Sequence, residues 1–101
     1  MLINIEGRLA YVGTPKPMPN RENRKVQKIV IEQKYDDRRM KTDYFAVFLY
    51  GDDIPEFWEN YDQNNKPYKV KVTGKLSGRF DQETNRDHIM IRYRSVRWIY
   101  H

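Results

Sequence analysis

The chain contains no cysteine, which removes disulfide frameworks, thiolate metal sites and cysteine nucleophiles together. Histidine is scarce as well: His88 and His101 are too few and too scattered for a metal site. No apolar run approaches the roughly 20 residues that span a bilayer. No signal peptide opens the chain, so an intracellular, cytoplasmic protein with no membrane partner is expected. There is no internal repeat and no low-complexity tract. Catalytic chemistry is thinly supplied, because an enzyme needs a nucleophile with its base, a carboxylate pair in a pocket or a metal cluster. Asp36 and Asp37 are adjacent, as in some metal-holding loops, but nothing else supports that role. The expectation is a protein without enzymatic activity, cofactor or metal.

What is present is enough to fold. At 101 residues, 39% of them hydrophobic, the chain suits one domain over 1–101 with no room for a second core. The net charge is +5, and its distribution says more than its sum. Between Gly51 and Asp62 lie Asp52, Asp53, Glu56, Glu59 and Asp62 with no lysine or arginine. That segment carries −5, leaving +10 on the rest of the chain. A basic body with one acidic element suits a polyanion docking on one side. The competing reading is that these lysines and arginines are simply solvated.

The apolar residues are spaced as strands. Ile3, Ile5, Leu9 and Tyr11 alternate with polar neighbours, and the period of two marks a half-buried strand. Gly7 falls on the apolar parity, where a missing side chain permits a bend or bulge. Residues 14–24 carry three prolines at alternate positions and read as an extended loop, since proline cannot supply ladder hydrogen bonds. Lys25 to Gln33 reads as a second strand with Ile29 and Ile31 inward and Lys28 and Val30 outward. A charged connection, 34–41, leads to a third strand from Asp43 to Tyr50. That strand is apolar on both faces: Phe45, Val47 and Leu49 on one, Tyr44, Ala46, Phe48 and Tyr50 on the other. Two apolar faces mean either full burial or, in so small a domain, one face kept as a binding platform.

After Gly51, Asp53 reads as a helix N-cap, with Pro55 and Glu56 favoured in the first turn. Ile54, Phe57, Trp58 and Tyr61 follow the i, i+3, i+4, i+7 spacing of one helical face, which reads as core or barrel plug. Tyr68 to Leu76 is a fourth strand with Val70, Val72 and Leu76 inward. Lys69, Lys71 and Lys75 point outward, which reads as a solvated face or a deterrent to edge pairing ahead of a secondary track for the strand. Arg79 to Asp87 reads as a polar hairpin loop. Ile89 to Tyr100 is the last strand, its parity shifting near Val96, with Met90, Arg92 and Arg94 outward and of open meaning. Trp98 reads as packing, within the chain or at a subunit contact. The fold class is all-β with one short helix: five strands with a helix between the third and fourth, the layout of the OB barrel. An SH3-like sheet lacks a helix at that point.

Three stretches resemble the single-stranded DNA-binding protein family in its short forms. They are Asn4-Ile-Glu-Gly-Arg-Leu9, Thr42-Asp-Tyr-Phe-Ala-Val-Phe-Leu-Tyr-Gly51, and Val70-Lys-Val-Thr-Gly-Lys-Leu76 followed by Arg79. The second is the most specific of the three. The chain lacks the long Gly- and Gln-rich tail and acidic C-terminal peptide of that family, ending instead in Trp-Ile-Tyr-His. In this it comes closer to short primosomal OB proteins. The resemblance implies bases stacked on the outer face of the third strand, which falls on Tyr44 and Tyr50 with Phe48 between them. Stacking on such rings contributes about 1–3 kcal/mol per base regardless of base identity. The competing reading packs these rings against loops or a second subunit.

The phosphate backbone needs cations along the same face. Lys16, Arg21, Arg24, Lys25 and Lys28 gather in the first loop and second strand. Arg38, Arg39 and Lys41 lie in the next connection, while Arg79 and Arg86 flank the last hairpin with Phe80 as a further ring. OB folds bind oligonucleotides between these loops. Asp36, Asp37 and Asp43 oppose a strand passing close by. The expected function is non-sequence-specific binding of single-stranded DNA in replication, recombination or repair. An OB-fold protein-interaction module and an RNA binder stay open as alternatives. Expected partners are single-stranded DNA, RNA under that alternative, replication or recombination proteins, and further copies of the chain in a homodimer or homotetramer.

Overall fold

The computed structural model describes residues 1–19, 21–35 and 41–100, with the backbone alone at Glu22. Its strands are β1 (Leu2–Val12), β2 (Lys16–Met18), β3 (Arg21–Lys34), β4 (Thr42–Tyr50), β5 (Lys69–Asp81) and β6 (Arg86–Ile99), with one helix, α1 (Asp53–Trp58), between β4 and β5. They form one sheet in the order β1-β5-β6-β4-β3-β2. An additional pairing between β1 and β3 joins β1, β5, β6, β4 and β3 into a closed ring. All ladders are antiparallel except that of β4 with β6, where Val47 faces Ile91 and Phe48 faces Arg92. Five long strands, this pairing order and a helix after β4 make it an OB fold. Among the described residues, no helix is long and apolar enough to cross a membrane.

β1 serves two neighbours, and Gly7 is where it changes. Leu2 to Gly7 pair with β5; Arg8 to Val12 pair with β3. A Cβ at Gly7 would lie 2.1 Å from the carbonyl oxygen of Glu32, so only glycine lets the two backbones approach there. Beyond Leu9 the register slips by one, with Leu9 opposite Ile31 and Tyr11 opposite Val30. That bulge turns Tyr11 out to solvent, against the expectation from simple alternation.

The inward parity supplies the core: Ile5, Ile29, Ile31, Val47, Leu49, Val70, Val72, Ile91 and Tyr93 are buried with Phe57 of α1. The expected parity shift in the last strand is a bulge, because Thr73 pairs with Ser95 but Gly74 with Tyr93. α1 closes one end of the ring. Phe57 is wholly buried and meets Trp58, Tyr93 and Trp98 edge-on, with centroids 4.8, 5.5 and 4.8 Å away. Each polar tip in this plug is satisfied. Trp58 Nε1 donates to Gln27 Oε1 (2.9 Å), Gln27 Nε2 to the Gly13 carbonyl (2.9 Å), and Trp98 Nε1 to the Phe57 carbonyl (3.1 Å). The Tyr93 hydroxyl donates to Glu56, and burial first, then that carboxylate, pushes the phenol far above its ordinary range. Phe57, Trp58 and Tyr61 therefore form the expected plug, and Trp98 packs within the chain.

Three boundaries differ from the sequence expectation. The proline-rich stretch is not wholly a loop: Lys16 pairs with Val26, Pro17 with Lys25 and Met18 with Arg21. β2 is the last strand in the sheet order, an edge where Pro17, which has no N–H to donate, is tolerated. The second long strand consequently begins at Arg21 rather than Lys25. The last hairpin is longer than expected, its strands pairing out to Asp81 and Arg86 so that only residues 82–85 turn. Finally, Asp52 rather than Asp53 is the N-cap of α1, without a side-chain cap bond; the Asp53 carboxylate instead accepts from the Tyr50 backbone N–H (3.4 Å).

Gly7→Ala should destabilise the protein by about 1–3 kcal/mol, because backbone rather than a pliable side chain blocks the new methyl. Thermal unfolding should register this as a Tm lower by roughly 4–8 °C per kcal/mol. Gly78→Ala, whose Cβ would meet nothing nearer than 3.8 Å, should leave Tm level or slightly raised.

Candidate nucleic-acid interface

Alternation along β4 separates its faces. Val47 and Leu49 are wholly buried, while Tyr44 on the other parity is 63% exposed and Phe48 and Tyr50 are half-buried. Directly opposite residues of an antiparallel pair share a face. The outer face therefore carries Val26 beside Tyr50, Lys28 beside Phe48, Val30 beside Ala46 and Glu32 beside Tyr44. At about 3.3 Å per residue, the six steps from Tyr44 to Tyr50 span roughly 20 Å. A short aliphatic floor at Val30 and Ala46 separates Tyr44 from the Phe48–Tyr50 pair.

Tyr50 is the most tightly held of the three rings. The Arg92 guanidinium lies 5.1 Å from its centroid, and its hydroxyl donates to Met90 Sδ (3.1 Å). A cation over an exposed ring contributes about 0.5–1 kcal/mol, enough to bias the ring's orientation. Around it runs a groove of about 360 Å³ lined by Met18, Arg21, Arg24, Tyr50, Ser77, Met90 and Arg92. Among the described residues, three guanidinium groups and no carboxylate line that groove. Arg24 is placed by Gly51, which has φ of +53° and on which a Cβ would lie 2.8 Å from Arg24 Nε. The Gly51 N–H donates to the Lys25 carbonyl (2.8 Å), tying the end of β4 to the start of β3.

The structure thus gathers Tyr44, Phe48, Tyr50, Lys28, Arg21 and Arg24 around one face and its border, whereas Lys25 has the parity of buried Gln27 and Ile29 and lies on the other side of β3, beside Asp52, Ile54 and Pro55. Lys16 is exposed on the short β2 edge. Arg38 and Arg39, with Asp36 and Asp37, lie outside the described residues. On the β5–β6 hairpin, Arg79 pairs with His88 and Arg86 with Asp81, on the parity of Ser77 and Met90. Phe80 has the opposite parity, so the ribbon turns it away from that side; it is 55% exposed, on the side of Ile89. At the far end, the Tyr35 hydroxyl donates to Gln33 Oε1 (3.2 Å), and the neighbouring Asp43 carboxylate raises the pKa of the phenol. Among the described residues, no group of three His, Asp or Glu side chains could hold a metal.

Arg92 and Met90 were not singled out by sequence reasoning. Their alternation shows that they point outward, but no local signal says that β6 lies parallel to β4. Glu32 was missed too. It sits on the outward parity yet is only 8% exposed, because Arg8 (3.4 Å) and Lys34 (3.5 Å) both reach its carboxylate.

Several solved structures share this OB architecture. The mitochondrial single-stranded DNA-binding protein Rim1 of S. cerevisiae superposes with a TM-score of 0.72 at 15% identity, over 98% of this chain and 93% of that one. The N-terminal domain of PriB from Thermoanaerobacter tencongensis, a dimeric structure, gives 0.61 at 11% identity, over 99% and 97%. A small single-stranded DNA-binding protein from Mycoplasma pneumoniae gives 0.55 at 15% identity, over 94% and 89%. No protein-family model matches the chain, and no curated protein matches it significantly in sequence.

The hairpin tip carries a pH dependence of its own. Asp81 is held below the usual carboxylate value by the Thr84 hydroxyl and then by the Glu83 N–H, whose bond to Oδ1 is 3.0 Å. A depressed folded value means the stabilisation is complete above the ordinary Asp pKa of about 3.9 and is lost as pH falls through the lower folded value. NMR protection factors at Glu83 and Thr84 should therefore hold at neutral pH and fall only below about pH 4.

Proposed function

We propose that this chain binds single-stranded DNA without sequence preference and catalyses no reaction. One observation carries the reading: three aromatic rings lie on the outward parity of β4, flanked on both sides by cations. Bases are flat aromatic plates, so each can stack on Tyr44, Phe48 or Tyr50 whatever its identity. The phosphates between them face Lys28, Arg21, Arg24 and Arg92. A duplex hides its base faces and offers the rings nothing to stack on. The names of the structural neighbours support the same ligand. Replication, recombination or repair is where unpaired DNA is exposed, inside the cell. One small OB fold covers about 4–16 nucleotides, so a homodimer or homotetramer lengthens the site. Arg79 and Arg86 on the hairpin belong to the flank of the path rather than its floor, and Phe80, on the hairpin's other side, does not line it.

Titration of labelled dT oligomers against duplex DNA and RNA at two salt concentrations tests this. Binding should be restricted to single strands. Four or five phosphate contacts should give a slope of log affinity on log salt near −3, at about −0.7 per contact. Tyr44→Ala and Tyr50→Ala should each weaken binding by roughly 5- to 150-fold, the equivalent of about 1–3 kcal/mol per stacked base. Lys71→Ala should change it little. Equal affinity for duplex, or indifference to both tyrosine substitutions, would refute the proposal.

A further inference from the structure

The bend of β1 leaves a cleft that the β4 platform does not use. At Gly7 the strand abandons β5 and at Arg8 it joins β3, so the start of β5 and the end of β3 diverge. The gap between them, about 580 Å³, is lined by Glu6, Arg8, Glu32, Lys34, Tyr68 and Lys69 over Gly7. Its size is that of a small-ligand site. It is also continuous with the platform, because Arg8 faces Glu32 and Glu32 faces Tyr44 in one cross-strand row.

We infer that this cleft is a second nucleotide subsite, taking a phosphate between Arg8, Lys34 and Lys69 and a base against Tyr68. The inference rests on the reading of the β4 face as a single-strand platform. A strand leaving Tyr44 crosses β3 and β1 and enters the cleft instead of running off the sheet. The cations are already posed. Glu32 draws Arg8 and Lys34 from either side, and Glu6 holds Lys69 at 3.4 Å. The side chains of Arg8 and Lys34 remain 67% and 72% exposed. A guanidinium has five N–H donors and an ammonium three, so donors remain for a phosphate after the carboxylates are met. Lys66 lines the adjoining cleft with Arg8 and Lys69. Four cations then face two carboxylates. Tyr68, 53% exposed, supplies the ring, with Lys69 Nζ 5.4 Å from its centroid. That is the same pairing of ring and cation found at Tyr50 and Arg92.

A length comparison tests it. Affinities for a dT pentamer, which the β4 face alone can hold, and a dT dodecamer are measured for the wild type and for Tyr68→Ala/Lys69→Ala. Thermal melting confirms that the variant folds. The dodecamer should bind the variant about 5- to 50-fold more weakly than it binds the wild type. Its salt slope should be shallower by about 0.7, while the pentamer stays within about twofold. An unchanged dodecamer affinity, or an equal loss on both lengths, overturns the subsite and leaves the platform standing. Failure of the wild type to bind the pentamer, or a pentamer insensitive to Tyr44→Ala, overturns the platform itself.

Discussion

The parallel ladder between β4 and β6 is the contact on which the rest of the molecule depends. Through Val47 and Ile91 it shuts the ring and seals the core on one side of β4. Through Phe48 and Arg92 the same ladder lays a cation-bearing strand along the aromatic side. Without it β4 would be an edge, with open backbone groups and two apolar faces exposed to water. With it, one face becomes core while the other keeps its rings toward solvent. Tyr50 shows the result, braced by Arg92 and Met90.

Charge is distributed to suit that division. Two of the carboxylates in the acidic segment work inside the fold: Asp53 accepts from the Tyr50 backbone, and Glu56 from Tyr93. The acidic plug thus sits where its charges find internal donors. Arg21, Arg24 and Arg92 share a groove that no carboxylate lines among the described residues. Glu32 is the exception on the outer face, and it is neutralised from both sides by Arg8 and Lys34.

Much of the fold was legible in the chain because one-sided burial imposes a period of two. Ile29, Ile31, Val47, Leu49, Val70 and Val72 alternate as their burial requires, and the i, i+3, i+4 spacing of Ile54, Phe57 and Trp58 marks the plug. Even the slip of parity before Val96 was visible, since a bulge moves apolar residues to the other parity. Errors fell where pairing, not burial, sets the structure. The Pro15-Lys-Pro-Met18 stretch reads as a loop because proline lacks a donor, yet an edge strand tolerates proline. The hairpin reads as a loop from Arg79 to Asp87 because its residues are polar. Its ladder runs on into solvent, where no apolar signal is needed.

Sequence order alone therefore decided, Tyr11 beyond the bulge of β1 excepted, which residues make the core, where the helix interrupts the strands, and that rings occupy the outward parity of β4. These follow from local periodicity, which each segment carries within itself. Only the folded chain decided which strands lie side by side. It brought Arg92 to Tyr50 across some forty residues, and it set Arg8, Glu32 and Tyr44 in one row across three strands. Neighbours across a ladder are chosen by closure of the ring and by the close backbone approach at Gly7, and neither leaves a periodic trace along the chain.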